Sequence, residues 1–193
     1  MNNATFFFNQ PKNEPVFSYA KGSKERELLS KELEKQYNQC IEIPIIINGK
    51  EIRTGNVSEV VMPTEHSHVL AKFHKADKET VQKAIEAALE ARKQWENVHW
   101  IDRCSIMLRA AELLAGKYRY VINAATMLGQ GKNPFQAEID SACETIDFLR
   151  FNVHYASKIY AQQPLSDNSA INRLEYRGLE GFVYAISPFN FTS

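Results

Sequence analysis

The stretch from Pro134 to Tyr160 limits the possible folds more than any other part of this chain. Phe135, Ile139, Ala142, Ile146, Leu149, Val153, Ala156 and Tyr160 recur at intervals of three and four residues, which is the spacing of one helix face. Pro134 stands where proline is favoured, in the first turn of a helix. A second row, Ala137, Ser141, Glu144, Phe148, Phe151 and Tyr155, runs beside the first. Two apolar or aromatic rows predict a helix buried on more than one side, and such a helix needs further structure to pack against.

The segments on either side supply the remaining elements. Residues 1–20 contain Pro11 and Pro15 and show no period, so they read as an extended arm. Lys24 to Gln39 is charged and helix-prone, with one narrow stripe of Leu28, Leu29 and Leu33. Ile43 and Ile45–Ile47 form a β-branched run that meets Glu51–Arg53 across Asn48-Gly49. Asn-Gly supplies the positive φ angles of a hairpin turn, so a hairpin is predicted there. Val57 to Met62 reads as another strand, ended by Pro63.

Asp77 is a predicted N-cap for a helix carrying Val81, Ile85, Ala88, Leu89 and Trp95. A further helix is predicted from near Asp102 to Gly116, and another from Arg119 to Leu128. After the long helix, Gln162 to Asn172 is a polar loop. Arg173–Arg177 then alternates as an exposed strand does, and Phe182–Ile186 is continuously apolar, as a strand buried on both faces of a parallel sheet is. Helices followed by such a strand indicate an α/β fold.

Composition excludes several classes of function. Hydrophobic residues make up 44% of the 193 and charged residues 24%, so a packed core is feasible. Lys+Arg and Asp+Glu are both 23, which gives no electrostatic footprint for nucleic acid or an anionic membrane. No apolar run approaches the roughly 18–20 residues that span a bilayer. Met1 to Gln10 shows neither the basic start of a secretory signal nor the arginines of a transit peptide. Cys40, Cys104 and Cys143 are widely spaced and odd in number, against a disulfide framework or a zinc site. Cys104 and Cys143 fall on helix faces and read as packing residues. His66 and His68 form a His-x-His pair with His74 nearby, but a solvated loop is the expectation there. Gly129-Gln130-Gly131 lacks the preceding strand and further glycines of a phosphate loop. Trp95 and Trp100 read as packing anchors.

The last segment, Ser187-Pro188-Phe189-Asn190-Phe191-Thr192-Ser193, follows the carboxyl end of the predicted buried strand, where open α/β sheets bind ligands. Pro188 stiffens the turn. The Asn190 amide could donate to a developing oxyanion without acting as a competing acid. Asparagine in a turn is usually there for its backbone tolerance, and from the residues alone that is the expectation for Asn190. Glu144 likewise reads, on spacing alone, as part of a solvated row with Asp140 and Asp147 at i, i+4 and i+7.

Longer motifs carry a resemblance. Gly181–Thr192, GFVYAISPFNFT, resembles the strand and loop of the aldehyde dehydrogenase superfamily, in which a Pro-aromatic-Asn-aromatic motif supplies the oxyanion-hole asparagine. Tyr176–Gly181, Met127–Lys132, Gln136–Asp140, Asp147–Asn152, Lys83–Arg92 and Asn13–Val16 look like its L-glutamate γ-semialdehyde dehydrogenase branch. The resemblance spans about residues 13–192.

It implies a cysteine thiolate that attacks the aldehyde, hydride transfer to NAD, and hydrolysis of the thioester by water that a glutamate activates. It matches Asn190 to the oxyanion donor, Phe191 to an aromatic of the aldehyde pocket, Glu144 to an acidic residue at that pocket's edge, and Ser187 to a position beside the nucleotide. It implies no metal, a small aldehyde as substrate, a homo-oligomeric parent enzyme and a mitochondrial matrix setting, with the cytoplasm as the other compartment.

The organisation implied is an arm and helix over 1–40, and the helical and hairpin part of the NAD-binding domain over 41–160. Bridging or oligomerisation strands follow over 161–180, and the first strand and loop of the nucleotide-binding sheet over 181–193. In that family the nucleophile, the base and the cofactor-binding glycines lie downstream of the Pro-Phe-Asn-Phe loop. The chain is therefore expected to be a piece of the enzyme, inert alone. The other reading is an interaction module that binds full-length subunits without catalysis.

Overall fold

A computed structural model describes residues 6–192. The beginning of the predicted arm, residues 1–5, and Ser193 lie outside the described residues. Six α-helices and five strands follow the arm in these residues. They are α1 (Lys24–Tyr37), β1 (Ile41–Ile43), β2 (Ile45–Ile47), β3 (Lys50–Ile52), β4 (Val57–Met62), β5 (Glu65–His74), α2 (Lys78–Trp95), α3 (Trp100–Ala115), α4 (Arg119–Gln130), α5 (Pro134–Ala137) and α6 (Glu144–Ala161).

Local chemistry sets many of the boundaries. Asp77 caps α2, its Oδ1 accepting from the Thr80 amide at 2.8 Å. Asn48 and Gly49 turn the β2–β3 hairpin with φ of 50° and 72°. The helix expected from Asp102 begins at Trp100, because the His99 side chain caps it. Gly131 ends α4 in the left-handed region at φ 67°.

The segment 65–74, expected as a solvated loop at its histidines, is instead the central strand β5. It pairs in parallel with β1 and antiparallel with β4, where Val60–Met62 carry register shifts. Strand β4 pairs along β5 from Glu65 to His74 and β1 adds a second partner at Ala71–Phe73, so the polar run Glu65–His68 does not prevent a strand from forming. His68 stacks on Tyr37 at 4.1 Å between ring centroids, and its Nε2 lies 2.9 Å from the Tyr37 carbonyl.

The long helix is interrupted by a π-helical turn at Glu138–Cys143, between α5 and α6. The wider turn shifts the apolar face around the axis. Phe135, expected inside, is exposed, whereas Ala137, Glu138, Ser141 and Ala142 are fully buried. Further along, Ile146 and Val153 are buried and Phe148 and Tyr155 are exposed, so the second aromatic row of α6 is uncovered.

Two apolar clusters form the core. Ala111, Ala142 and Ile146 join α3 to the long helix, with Ile122 and Leu149 against them, and Tyr19, Leu29 and Ala124 join the arm, α1 and α4. Trp100 acts as the expected anchor, stacked on Tyr160 at 4.5 Å between centroids, while Trp95 is largely exposed.

Residues 173–177 and 182–186 were expected as strands, the second one buried. Neither forms a ladder, and Val183, Tyr184 and Ile186 are exposed. A buried parallel strand needs hydrogen-bonded neighbours and covered faces. The described residues present no such neighbour to this segment. Side-chain contacts hold the preceding stretch, residues 174–179. Gln163 exchanges bonds with the Leu174 backbone, Tyr176 donates to the Ile159 carbonyl at 3.2 Å, and Arg92 donates to the Leu179 carbonyl at 3.3 Å.

Candidate active site

Packing around the loop that carries Asn190 begins at a buried polar cluster. Arg119, at the start of α4, and Glu138, at the start of the π-helical turn, are both sealed from solvent and form an ion pair. Glu14 of the arm pairs with Arg119 at 2.5 Å and with Arg150 at 2.5 Å. The Glu138 carboxylate also accepts from the Tyr19 hydroxyl at 2.6 Å, the Asn123 amide at 2.8 Å and the Phe17 backbone N–H at 2.9 Å. Arg119 lies over the Phe17 ring at 3.9 Å.

Burial pushes the Glu138 carboxyl up, but Arg119, Tyr19 and the Phe17 amide outweigh it and hold the group below the ordinary value. Burial works to lower Arg119, and its bonds to Glu138 and Glu14 reverse that, so its value rises. Burial and the Glu138 carboxylate push Tyr19 up. Through this cluster the arm, α4 and the π-helical turn form one rigid support.

The next turn of the same support meets the 187–192 loop. Lys132 follows the left-handed Gly131 and extends its ammonium to three groups. It pairs with Asp140 of the π-helical turn at 2.6 Å, donates to the Asn190 carbonyl at 2.5 Å, and lies 5.0 Å from the Phe191 ring centroid. The Gln130 amide donates to the Phe189 carbonyl at 3.2 Å, and the hydroxyls of Thr126 and Thr192 lie 2.8 Å apart. Asn190 and Ser187 are exposed, and Phe191 is half-buried.

Glu144 opens α6 and lines a cavity of about 350 Å³ with Asn13, Asp147, Phe148, Phe151 and Tyr155. Asp147 is already engaged, accepting from Asn13 Nδ2 at 2.6 Å and the Glu14 amide at 2.7 Å. Of the site residues read from the sequence, Asn190 and Phe191 come together on one loop. Glu144 stands on the helix that also carries Asp140, the partner of Lys132.

Two of the three cysteines carry thiols that burial raises. Burial, reinforced by Glu138, pushes Cys143 up to about 12, and burial also raises Cys104. Cys40 is exposed.

Residues 51–193 match the Aldehyde dehydrogenase family. The chain belongs to the aldehyde dehydrogenase family. Among its relatives, a Delta-1-pyrroline-5-carboxylate dehydrogenase of Agaricus bisporus is 52% identical over 98% of this chain and 35% of its own length. A mitochondrial Delta-1-pyrroline-5-carboxylate dehydrogenase of Homo sapiens is 50% identical over 94% of this chain and 32% of its own. The crystal structure of the Delta-pyrroline-5-carboxylate dehydrogenase from Mycobacterium tuberculosis superposes with a TM-score of 0.95 at 44% identity, over 100% of this chain and 36% of that one. The same bacterial enzyme bound with NAD gives a TM-score of 0.94 at 45% identity. This aldehyde dehydrogenase chain thus spans about a third of the length of the relatives it matches, and its α/β fold is the amino-terminal part of theirs.

Sequence reasoning did not single out Arg119, Glu138 or Lys132. For Glu138 a signal existed. It lies three residues after Phe135 and four before Ala142, on the predicted apolar face, where a charge requires a partner. Arg119 and Lys132 sit next to helix ends and carry no such mark.

Proposed function

We propose that this chain is the amino-terminal part of an NAD-dependent dehydrogenase that oxidises L-glutamate γ-semialdehyde to L-glutamate in proline catabolism. The observation that carries this reading is the seating of the Pro188-Phe189-Asn190-Phe191 loop. Its backbone is fixed to α4 and the π-helical turn, which leaves the Asn190 side chain exposed on a supported turn. The names of the relatives, and their similarity along nearly the whole chain, support the substrate class.

In this reading the Asn190 amide donates to the oxygen of the aldehyde as a thiolate adds to the carbonyl carbon and negative charge gathers on that oxygen. A neutral, preorganised N–H donor stabilises that charge. Phe191 provides an apolar wall for the substrate chain. The Glu144 carboxylate has no recorded partner among the described residues, so it is available to the polar end of an amino-acid aldehyde at the mouth of the aromatic cavity. NAD, when bound, accepts the hydride. The exposed Ser187 hydroxyl fits one edge of a nucleotide site, and other parts of the enzyme supply the rest.

Burial raises the thiols of Cys143 and Cys104, and the nucleophile belongs in this reading to other parts of the enzyme, so residues 1–193 alone do not turn over the aldehyde. The parent enzyme acts in the mitochondrial matrix, as the names of several relatives support. It is a homo-oligomer bridged through residues 161–180. The exposed apolar side chains of Leu174, Tyr176 and Leu179 suit that role.

The test is a comparison of kcat/KM for NADH formation by the complete dehydrogenase. A preference for L-glutamate γ-semialdehyde over a simple aldehyde of equal chain length, such as pentanal, supports the reading, and equal values overturn it.

A further inference from the structure

Lys132 joins the asparagine loop to Asp140, on the helical run that goes on to Glu144. Its ammonium is mostly buried and bonded on two sides, to the backbone carbonyl of Asn190 and to the Asp140 carboxylate. Asp140 lies one turn before Glu144 on the same helical run, within the π-helical turn that offsets the helix face. The ammonium also lies over the Phe191 ring, 5.0 Å from its centroid. A π-helical turn makes a helix wider locally, and such turns recur at functional sites. Here the turn carries Asp140, the carboxylate that pairs with the lysine holding the asparagine loop.

The other contacts of the loop are weaker or less directional. Gln130 reaches only Phe189 at 3.2 Å, and Thr126 reaches only the Thr192 hydroxyl. Among the described residues, Lys132 alone bonds the residue that carries the amide. A charge-assisted bond is shorter and stronger than a neutral one, so its loss removes the best restraint on the Asn190 backbone.

We infer that Lys132 is the positioning residue that registers the Asn190–Phe191 loop against the π-helical turn bearing Asp140, and so sets the oxyanion donor relative to Glu144. The inference rests on the reading of Asn190 as that donor. Lys132 does not touch the reacting atoms, because its ammonium is committed to Asn190 O and Asp140. It acts on the transition state through the angle of the loop, and about 1 Å of misplacement costs on the order of a hundredfold in rate.

Two measurements test it. In the complete dehydrogenase, backbone ¹⁵N order parameters at Asn190 and Phe191 are expected to drop from rigid values towards about 0.6 or below in Lys132→Met. They are expected to stay high in Lys132→Arg, which can keep both bonds. In the complete dehydrogenase, Lys132→Met is expected to lower kcat for the aldehyde by roughly tenfold to a hundredfold, with KM for NAD unchanged and with recovery in Lys132→Arg. If Lys132→Met does not fold, Asp140→Asn carries the test. It frees the lysine from the helix and is expected to give the same loss in kcat, smaller in size.

Unchanged order parameters and kcat in these variants overturn the tether. A loss of kcat that Lys132→Arg does not recover, or one accompanied by an equal rise in KM for NAD, also overturns it, because either indicates general disruption. If Asn190→Ala leaves kcat intact, the reading of Asn190 fails. The order parameters then report separately on whether the lysine holds the loop.

Discussion

Replacing Arg119 by methionine isolates the energetics of the buried cluster. The guanidinium is 1% exposed, and its partners Glu138 and Glu14 are 0% and 8% exposed. Methionine approximates the apolar stem and removes the charge, so the sealed Glu138 carboxylate loses its ionic partner while Glu14 keeps Arg150. Removing one partner of a buried pair costs about 3–5 kcal/mol. For a chain of this size each kcal/mol lowers Tm by about 2–4 °C, so the expected fall is about 6–20 °C.

The pH dependence discriminates further. In the native chain Glu138 is held below its ordinary value, so its contribution is fully present above pH 4.5 and is lost as pH falls through the lower folded value. Without Arg119, the dominant influence left on Glu138 is burial, which raises its value. Protonating a group whose folded value is raised favours the folded state. The deficit of Arg119→Met should therefore be largest at pH 7 and shrink towards pH 5, over a range where the native chain changes little. Urea denaturation of both proteins at pH 7, 6 and 5 reads this directly. A deficit below about 1 kcal/mol, the size of an exposed pair, would refute the account, as would one that does not change with pH.

Other outcomes follow from single contacts. Cys143, buried with its thiol pushed up to about 12, should resist iodoacetamide at pH 8 in the folded chain, while exposed Cys40 reacts first; peptide mass spectrometry reads the order. Asn133→Ala removes the capping box in which the Asn133 and Gln136 side chains each bond the other's backbone N–H, and should cost about 1 kcal/mol by urea denaturation. Gly131→Ala forces a side chain into a φ of 67° beside Pro63, and should cost about 1 kcal/mol by the same measurement.

Much of the fold was legible because local signals and the final structure agree. The Asn48-Gly49 hairpin, the Asp77 cap and the Gly116 stop each need only nearby residues, and each stands where the spacing put it. What depends on distant partners was not legible. Strand β5 has a polar first half and is fixed by β1 and β4 on its two sides. The π-helical turn has no periodic signature, so the helix face was predicted one step out of place and Phe135 was assigned to the interior. The run Phe182–Ile186 has the composition of a buried strand but remains open here, because composition states what a segment can bury and not which neighbours are present. At the site, the motif around Asn190 was recognisable as a sequence, whereas Lys132, which supports it, lies 58 residues from Asn190 and 8 from Asp140, and the three are joined only by folding.

The central claim, that Asn190 supplies the oxyanion donor of an aldehyde dehydrogenase, is tested most directly by Asn190→Ala in the complete enzyme. The measurement is the steady-state rate of NADH formation from L-glutamate γ-semialdehyde at saturating NAD. Loss of one preorganised donor should lower kcat by about 10²–10³ while the enzyme stays folded. A kcat within about twofold of the unaltered enzyme would contradict the claim.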